Sequence, residues 1–507
     1  MYYNKSIYYI LIYIYINIGS VMEKKAGILL PIFSLPGKYG IGTLGRSAFA
    51  FVDFLQECNQ NYWQVLPLNP TIYGDSPYQS PSAFAGNHYF IDIDTLVEEG
   101  LLDKSYAKGY QRKASRVDYA YLFESRLFLL KKAFELFDIN QSRYVDFKRA
   151  NAFWLDDYAL FMSIKEYHNN SSWSSWGKDE KYRLNMKMLQ IKYAGSIEFW
   201  KFVQYEFYSQ YAKVKSYANL KGIEIVGDMP IYVAYDSVDV WSKPKNYLLD
   251  KNLNPTLVAG VPPDAFSADG QLWGNPIYNW QKMKRDKYQW WIDRLQVAYR
   301  LYDVIRIDHF RGFEAYYVVD RECKTAKIGE WHKGVGISLF KELDKRLPGA
   351  KIIAEDLGVI TPSVRRLLKR AGYPGMKVLQ FAFCDDNSDY LPKNIKSSNC
   401  VVYTGTHDNM TTPQWFDSID KQEKSLFKKT CKPKKGENNT HCLIRTAMST
   451  KAERVIIPMA DYLGLKEEGR INAPSTTGDN WTWRLKDRYD TPKLRERIKE
   501  LTKYRLD

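Results

Sequence analysis

With 507 residues, the chain has room for two to four domains of about 100–200 residues, or for one large barrel carrying insertions, and is too long for a disulfide-stapled mini-protein. Apolar residues make up 45 % against 26 % charged, which excludes global disorder, and 73 Lys+Arg against 58 Asp+Glu leave a net charge of +15. That excess is spread along the chain except for seven lysines between Lys421 and Lys435, read as a solvated face, so nucleic-acid binding is kept as a rival and not as the leading reading.

Residues 1–21 are set apart as a leader or as a start assigned too early. The Ile/Tyr run at 7–18 is too short to span a bilayer and lacks a small-residue cleavage pattern, while Met22-Glu-Lys-Lys leads directly into a strand-like run. From there, short β-branched and aromatic runs predict strands at 26–32, 62–66, 223–226, 304–307, 352–354, 378–383 and 401–404, with an eighth at 470–472. Eight strands alternating with helical periodicity predict an α/β fold, a closed (β/α)8 barrel with a parallel sheet. Aromatic and charged residues at helical spacing over about 90–220 read as an inserted, largely helical subdomain. A Gly/Pro-punctuated stretch at about 255–280, with Phe266 and Trp273, reads as a lid. The catalytic barrel thus covers 22–507.

Six cysteines without CxxC spacing suggest neither a zinc ribbon nor a disulfide framework and fit a reducing, cytoplasmic compartment. No metal-ligand spacing, Walker loop or GxGxxG is present, so no cofactor and no metal are expected. Aromatic residues reach 15 %, which suits sugar faces as well as cores.

In parallel barrels the chemistry sits at the C-terminal ends of strands. Acidic residues fall there four times: Asp228, Asp308, Glu355 with Asp356, and Asp408. Strand parity puts Val304, Arg306 and Asp308 on one face, and an arginine beside Asp308 is expected to keep it ionised, as a nucleophile must be. Glu355, near that charge and partly desolvated, is expected to hold its proton, as a general acid requires. Each carboxylate has a rival reading as an N-cap of the following helix, and Arg306–Asp308 has one as a structural ion pair. His407 and Asp408 are adjacent, so a regular strand cannot aim both inward; the strand ends or bulges there, or one of the two stands behind the other.

Gly227-Asp-Met-Pro-Ile-Tyr-Val, Arg306-Ile-Asp-His-Phe-Arg-Gly, Ala354-Glu-Asp-Leu-Gly and Thr404-Gly-Thr-His-Asp-Asn together resemble the strand-end motifs of the 4-α-glucanotransferases, the amylomaltases or disproportionating enzymes of glycoside hydrolase family 77. The resemblance runs in order from about residue 26 to 484. It implies a barrel with inserted subdomains and no separate C-terminal β-domain. It also implies Asp308 as nucleophile, Glu355 as acid/base and Asp408 as transition-state stabiliser. Arg306 and His407 would position the nucleophile and contact the sugar, Asp228 and Tyr78 would contact substrate, and Phe266 and Trp273 would form the lid. The implied reaction is transfer of an α-1,4-glucan segment to the 4-OH of glucose or another maltooligosaccharide, by retaining double displacement, with carboxyls about 5–5.5 Å apart. Implied partners are maltooligosaccharides and starch- or glycogen-derived glucans, with neither nucleic acid nor membrane. Departures from the pattern fall at Ala265, His88, Met410 and the Arg470-Ile-Asn-Ala-Pro ending, and none touches the three carboxylates. An α-1,4-glucan hydrolase and a non-catalytic glucan-binding barrel remain the alternatives.

Overall fold

Eight of the apolar runs pair as parallel strands, each beside its predecessor in the chain. They are β1 (Lys25–Leu29), β2 (Tyr62–Gln64), β3 (Glu224–Met229), β6 (Val304–Ile307), β9 (Ile352–Ala354), β10 (Gly375–Val378), β11 (Cys400–Tyr403) and β12 (Arg454–Pro458). Between β3 and β9 the chain also forms β4 (Leu257–Val261), β5 (Gln271–Pro276), β7 (Ala315–Asp320) and β8 (Glu330–Lys333), a separate antiparallel sheet in the order β5-β4-β7-β8. The computed structural model describes residues 24–505 apart from 73, 264–266 and 477, so the leader segment, Ala265 and Phe266 lie outside the described residues.

The large sheet runs β10-β11-β12-β1-β2-β3-β6-β9, and its two ends meet: the Ala354 N–H donates to the Pro374 carbonyl at 2.9 Å, and the Met376 N–H to Asp356 Oδ1 at 2.6 Å. This is a (β/α)8 barrel. Its strands are buried on both faces, which is why they read as continuous apolar runs. Two strands differ from expectation. The eighth is Arg-Val-Ile-Ile-Pro at 454–458, while 470–472 is loop; the sixth ends at Val378, after which Leu379–Phe381 winds into a single helical turn. The expected lid segment is not all loop either, because it holds β4 and β5, paired antiparallel.

Three long helices, Tyr119–Glu135, Ser142–Tyr167 and Ala194–Leu220, lie between β2 and β3. The last buries Phe199, Phe202, Val203, Phe207, Gln210, Tyr211, Val214 and Ala218, the i, i+3, i+4, i+7 stripe of a helix packed along one side. Two buried glutamines on that stripe clamp the loop after β2. Gln204 accepts from the Gly86 N–H at 2.7 Å and returns a bond to the Gly86 carbonyl at 3.0 Å, and Gln210 Oε1 accepts from the Asp92 N–H at 2.7 Å. Among the described residues no helix is long and apolar enough to cross a membrane.

Candidate active site

Register places the first group of side chains. Asp228 on β3 lies directly beside Arg306 on β6, and Arg306 lies beside Ile353 on β9. Asp228, Arg306 and, two residues on, Asp308 therefore share the inner face. Gly227 precedes Asp228 because a Cβ there would stand 2.1 Å from the ring of Tyr302. The Arg306 guanidinium, 3 % exposed, bonds Asp228 at 2.7 and 2.8 Å through Nη1, and the same nitrogen stands 3.0 Å from Asp308 Oδ1.

Four more side chains close around these three. Tyr78, from the loop after β2, donates its hydroxyl proton to Asp228 Oδ2 at 2.8 Å and stands 2.9 Å from His407 Nε2. With that proton committed to Asp228, the tyrosine oxygen is the acceptor and His407 carries its proton on Nε2. The two rings stack at 5.2 Å, and His407 Nε2 is also 3.3 Å from Asp408 Oδ2. Because β11 ends at Tyr403, both His407 and Asp408 come from loop, which resolves how adjacent residues reach one site. On the far side, Glu355 accepts from the His309 N–H through Oε2 and from the Leu357 N–H through Oε1, both at 2.7 Å. His309 takes a left-handed φ of 51°, which turns the chain immediately after Asp308.

None of these acids is a helix cap. The helix Pro362–Ala371 after Glu355 is capped by Thr361, and neither the turn at Phe310–Phe313 nor the helix Thr412–Ser418 has a side-chain cap. Asp356 points the other way, into its bond with the Met376 N–H.

The three carboxylates differ in their protonation. Burial pushes Glu355 up to about 7, helped by the negative charge of Asp308. Burial also pushes Asp308 up, to about 6, against the pull of Arg306. The expectation that arginine would set this pKa is corrected here: Arg306 divides its charge between Asp228 and Asp308, and the cost of desolvation exceeds its share. For Asp408 burial acts upward too, but the His407 charge and the bonds from His407 and Asn472 outweigh it and hold the carboxyl down at about 2. His407 is correspondingly raised, burial notwithstanding, by Asp408. His309 is pushed down to about 3 by burial and stays neutral.

Asp308, Glu355 and Asp408 line one cleft of about 1590 Å³, beyond the roughly 300–1,000 Å³ of a small-molecule pocket, with Tyr78, Arg306 and Trp273 on its walls. Asp228 and His407, both 2 % exposed, stand behind that lining and act on it through Arg306, Tyr78 and Asp408. Trp273, on β5, meets His309 edge-on at 4.8 Å. Phe266 lies outside the described residues. Sequence reasoning missed Asn472, whose side chain donates to Asp408 Oδ1 at 2.6 Å and whose N–H donates to the His407 carbonyl at 3.1 Å. The Arg-Ile-Asn run around it mimicked a strand. Asp461 was missed as well: it bonds Thr404 and Thr412 at either end of the loop that delivers His407 and Asp408.

Residues 30–490 match the family model for 4-alpha-glucanotransferase. A 4-alpha-glucanotransferase of Clostridium butyricum is 48 % identical over 93 % of this chain and 98 % of its own length, and one of Streptococcus pneumoniae is 45 % identical over 95 % and 97 %. The solved amylomaltase from Streptococcus agalactiae, in complex with acarbose, superposes with a TM-score of 0.92 at 41 % identity, covering 95 % of this chain and 99 % of that one. The barrel, the three-carboxylate cleft and these matches converge on one conclusion: the chain belongs to the 4-alpha-glucanotransferase family, glycoside hydrolase family 77, and is an enzyme of that activity.

Proposed function

We propose that Asp308 is the nucleophile, Glu355 the acid/base and Asp408 the transition-state stabiliser of a retaining double displacement on α-1,4-glucans. Asp308 bonds to the anomeric carbon as the glycosidic C–O bond breaks and Glu355 gives its proton to the departing 4-oxygen. In the second half the 4-OH of an incoming sugar returns a proton to Glu355 as its oxygen displaces Asp308, restoring an α-linkage. Asp408, ionised throughout, opposes the positive charge that grows on the ring, an interaction stronger in the transition state than in the ground state. Arg306 positions Asp308, with Asp228 fixing Arg306 from behind, while Tyr78 and His407 brace the sugar-binding wall. Trp273 is part of the lid that keeps water from the glucosyl-enzyme. The observation that carries these roles is the convergence of three carboxyls from separate strands on one cleft, each held differently: Asp308 by the Arg306 guanidinium at 3.0 Å, Glu355 by two backbone N–H groups and Asp408 by Asn472.

Donors in this reading are starch- or glycogen-derived glucans and maltooligosaccharides, and acceptors are glucose or maltooligosaccharides. The reaction runs in the cytoplasm without a cofactor, nucleic acid or membrane. Incubation with maltotriose tests it. Wild type should give glucose and longer oligomers with little new reducing power, and Asp308→Asn should lose at least about a thousandfold in rate. Steadily rising reducing ends would make the enzyme a hydrolase, and full activity in the Asn variant would remove Asp308 from the nucleophile's place.

A further inference from the structure

The loop that holds the acid/base is tied to an exposed tryptophan that the scheme above does not use. Leu357 bonds Glu355, and two residues on the Val359 carbonyl accepts from Arg311 Nη1 at 2.6 Å. The Arg311 guanidinium lies 3.9 Å from the centroid of the Trp331 ring, and Tyr317 meets that ring edge-on at 5.3 Å. Trp331 belongs to β8 of the small sheet. It is nevertheless 41 % exposed and lines the cleft with Glu355, Arg311 and Val359, the last 64 % exposed. A large aromatic ring accessible in a substrate cleft, held in a fixed pose by a cation, is a surface prepared for a ligand with an apolar face.

Its place says which part of the substrate that is. Tyr78, and His407 with Asp408, approach Asp308 from the loops after β2 and β11, whereas Arg311 follows β6 and Glu355 and Val359 follow β9, two neighbouring strands set apart from β2 by β3 and from β11 by β10. Glu355 protonates the leaving oxygen and later takes the acceptor's proton, so leaving group and acceptor must occupy its side of the reacting ring. The Trp331 surface continues the cleft on that side. Glucose has one ring to place beside Glu355, while a maltooligosaccharide has further rings whose C–H faces suit an indole.

We propose that Trp331, held by Arg311, is a stacking platform for the acceptor chain beyond its first glucose unit, and that it sets the preference for maltooligosaccharide over glucose as acceptor. The proposal rests on Glu355 being the acid/base. A maltotriosyl fluoride lacking the terminal 4-OH serves as donor, because it cannot act as its own acceptor. Acceptor-dependent fluoride release then gives KM for glucose and for maltotriose. In Trp331→Ala and in Trp331→Leu, which keeps apolar bulk, the ratio KM(glucose)/KM(maltotriose) should fall about tenfold, or about 1.4 kcal/mol, and Trp331→Phe should restore most of it. An unchanged ratio in the Ala and Leu variants, whatever their overall rate, overturns the platform. Fluoride release undiminished in Asp308→Asn overturns the catalytic assignment instead, so the two failures are distinguishable.

Discussion

Asp308 and Glu355 share one cleft and one kind of functional group, and what separates them is who donates to each. Asp308 has a guanidinium at 3.0 Å, Glu355 only two neutral backbone N–H groups, so Asp308 gives up its proton first. In the proposed mechanism the productive state has Asp308 ionised and Glu355 protonated. As pH falls through about 6 Asp308 takes a proton and attack is lost, and as pH rises through about 7 Glu355 loses its proton and acid catalysis is lost. The profile of kcat/KM for maltotriose should therefore be a narrow bell with limbs near these two values. With an α-glucosyl fluoride donor, whose leaving group needs no proton, Glu355→Gln should keep the acid limb and lose the alkaline one. An alkaline limb that persists in that variant would assign it to another group. The residue types and their order along the chain were readable from the sequence, because strand ends carry the acids. The pKa of Asp308 was not, since it depends on how Arg306 is divided between two aspartates that lie 80 residues apart in sequence.

Among the elements, the loop from Thr404 to Thr412 delivers two site residues without regular structure of its own, and a single buried carboxylate spans its ends. Asp461 Oδ2 accepts from the Thr404 and Thr412 hydroxyls at 2.6 Å each and Oδ1 from the Thr412 N–H at 2.7 Å. Asp461→Ala leaves three donors unpaired in a site that is 1 % exposed. It should lower stability by about 2–4 kcal/mol in urea unfolding and cut kcat for disproportionation at least tenfold, while Asp461→Asn, which keeps the Thr412 acceptor, should retain most of both. An Ala variant with normal kcat would detach loop order from catalysis. Asp461 and β12 were hidden together: the Arg454–Pro458 run ends in proline, and its acid comes three residues later, inside the short helix Met459–Leu463 and not directly on the strand. The small sheet escaped for a different reason. Its outer strands, Glu330-Trp-His-Lys and Gln271-Leu-Trp-Gly-Asn-Pro, are partly exposed and carry Gly, Pro or charges, so neither a continuous apolar run nor a clean alternation marks them.

Across the whole molecule the barrel divides its labour by end. Every proposed catalytic group follows the C-terminal end of a strand, and the opposite end is held by Arg505 near the chain's terminus. Its guanidinium, 1 % exposed, donates to the carbonyls of Met448 and Thr450 at 3.0 Å each, of Lys25 at 3.3 Å, and of Ala452. One side chain thus joins the start of β1, the end of the helix Asn439–Met448 and the turn into β12, closing the seam between the first and last strands. Removing it strands several buried carbonyls at once, and a lysine, with a point charge in place of a planar fork, can satisfy fewer of them. Arg505→Ala should cost at least about 3 kcal/mol of stability and Arg505→Lys an intermediate amount, read by denaturant unfolding. At 25 °C the folded fraction of either should disproportionate maltotriose at the wild-type kcat, because the seam lies a full strand length from Asp308. A fall in kcat beyond about fivefold with unchanged stability would show instead that strain at the bottom of the barrel reaches the carboxylates at its top.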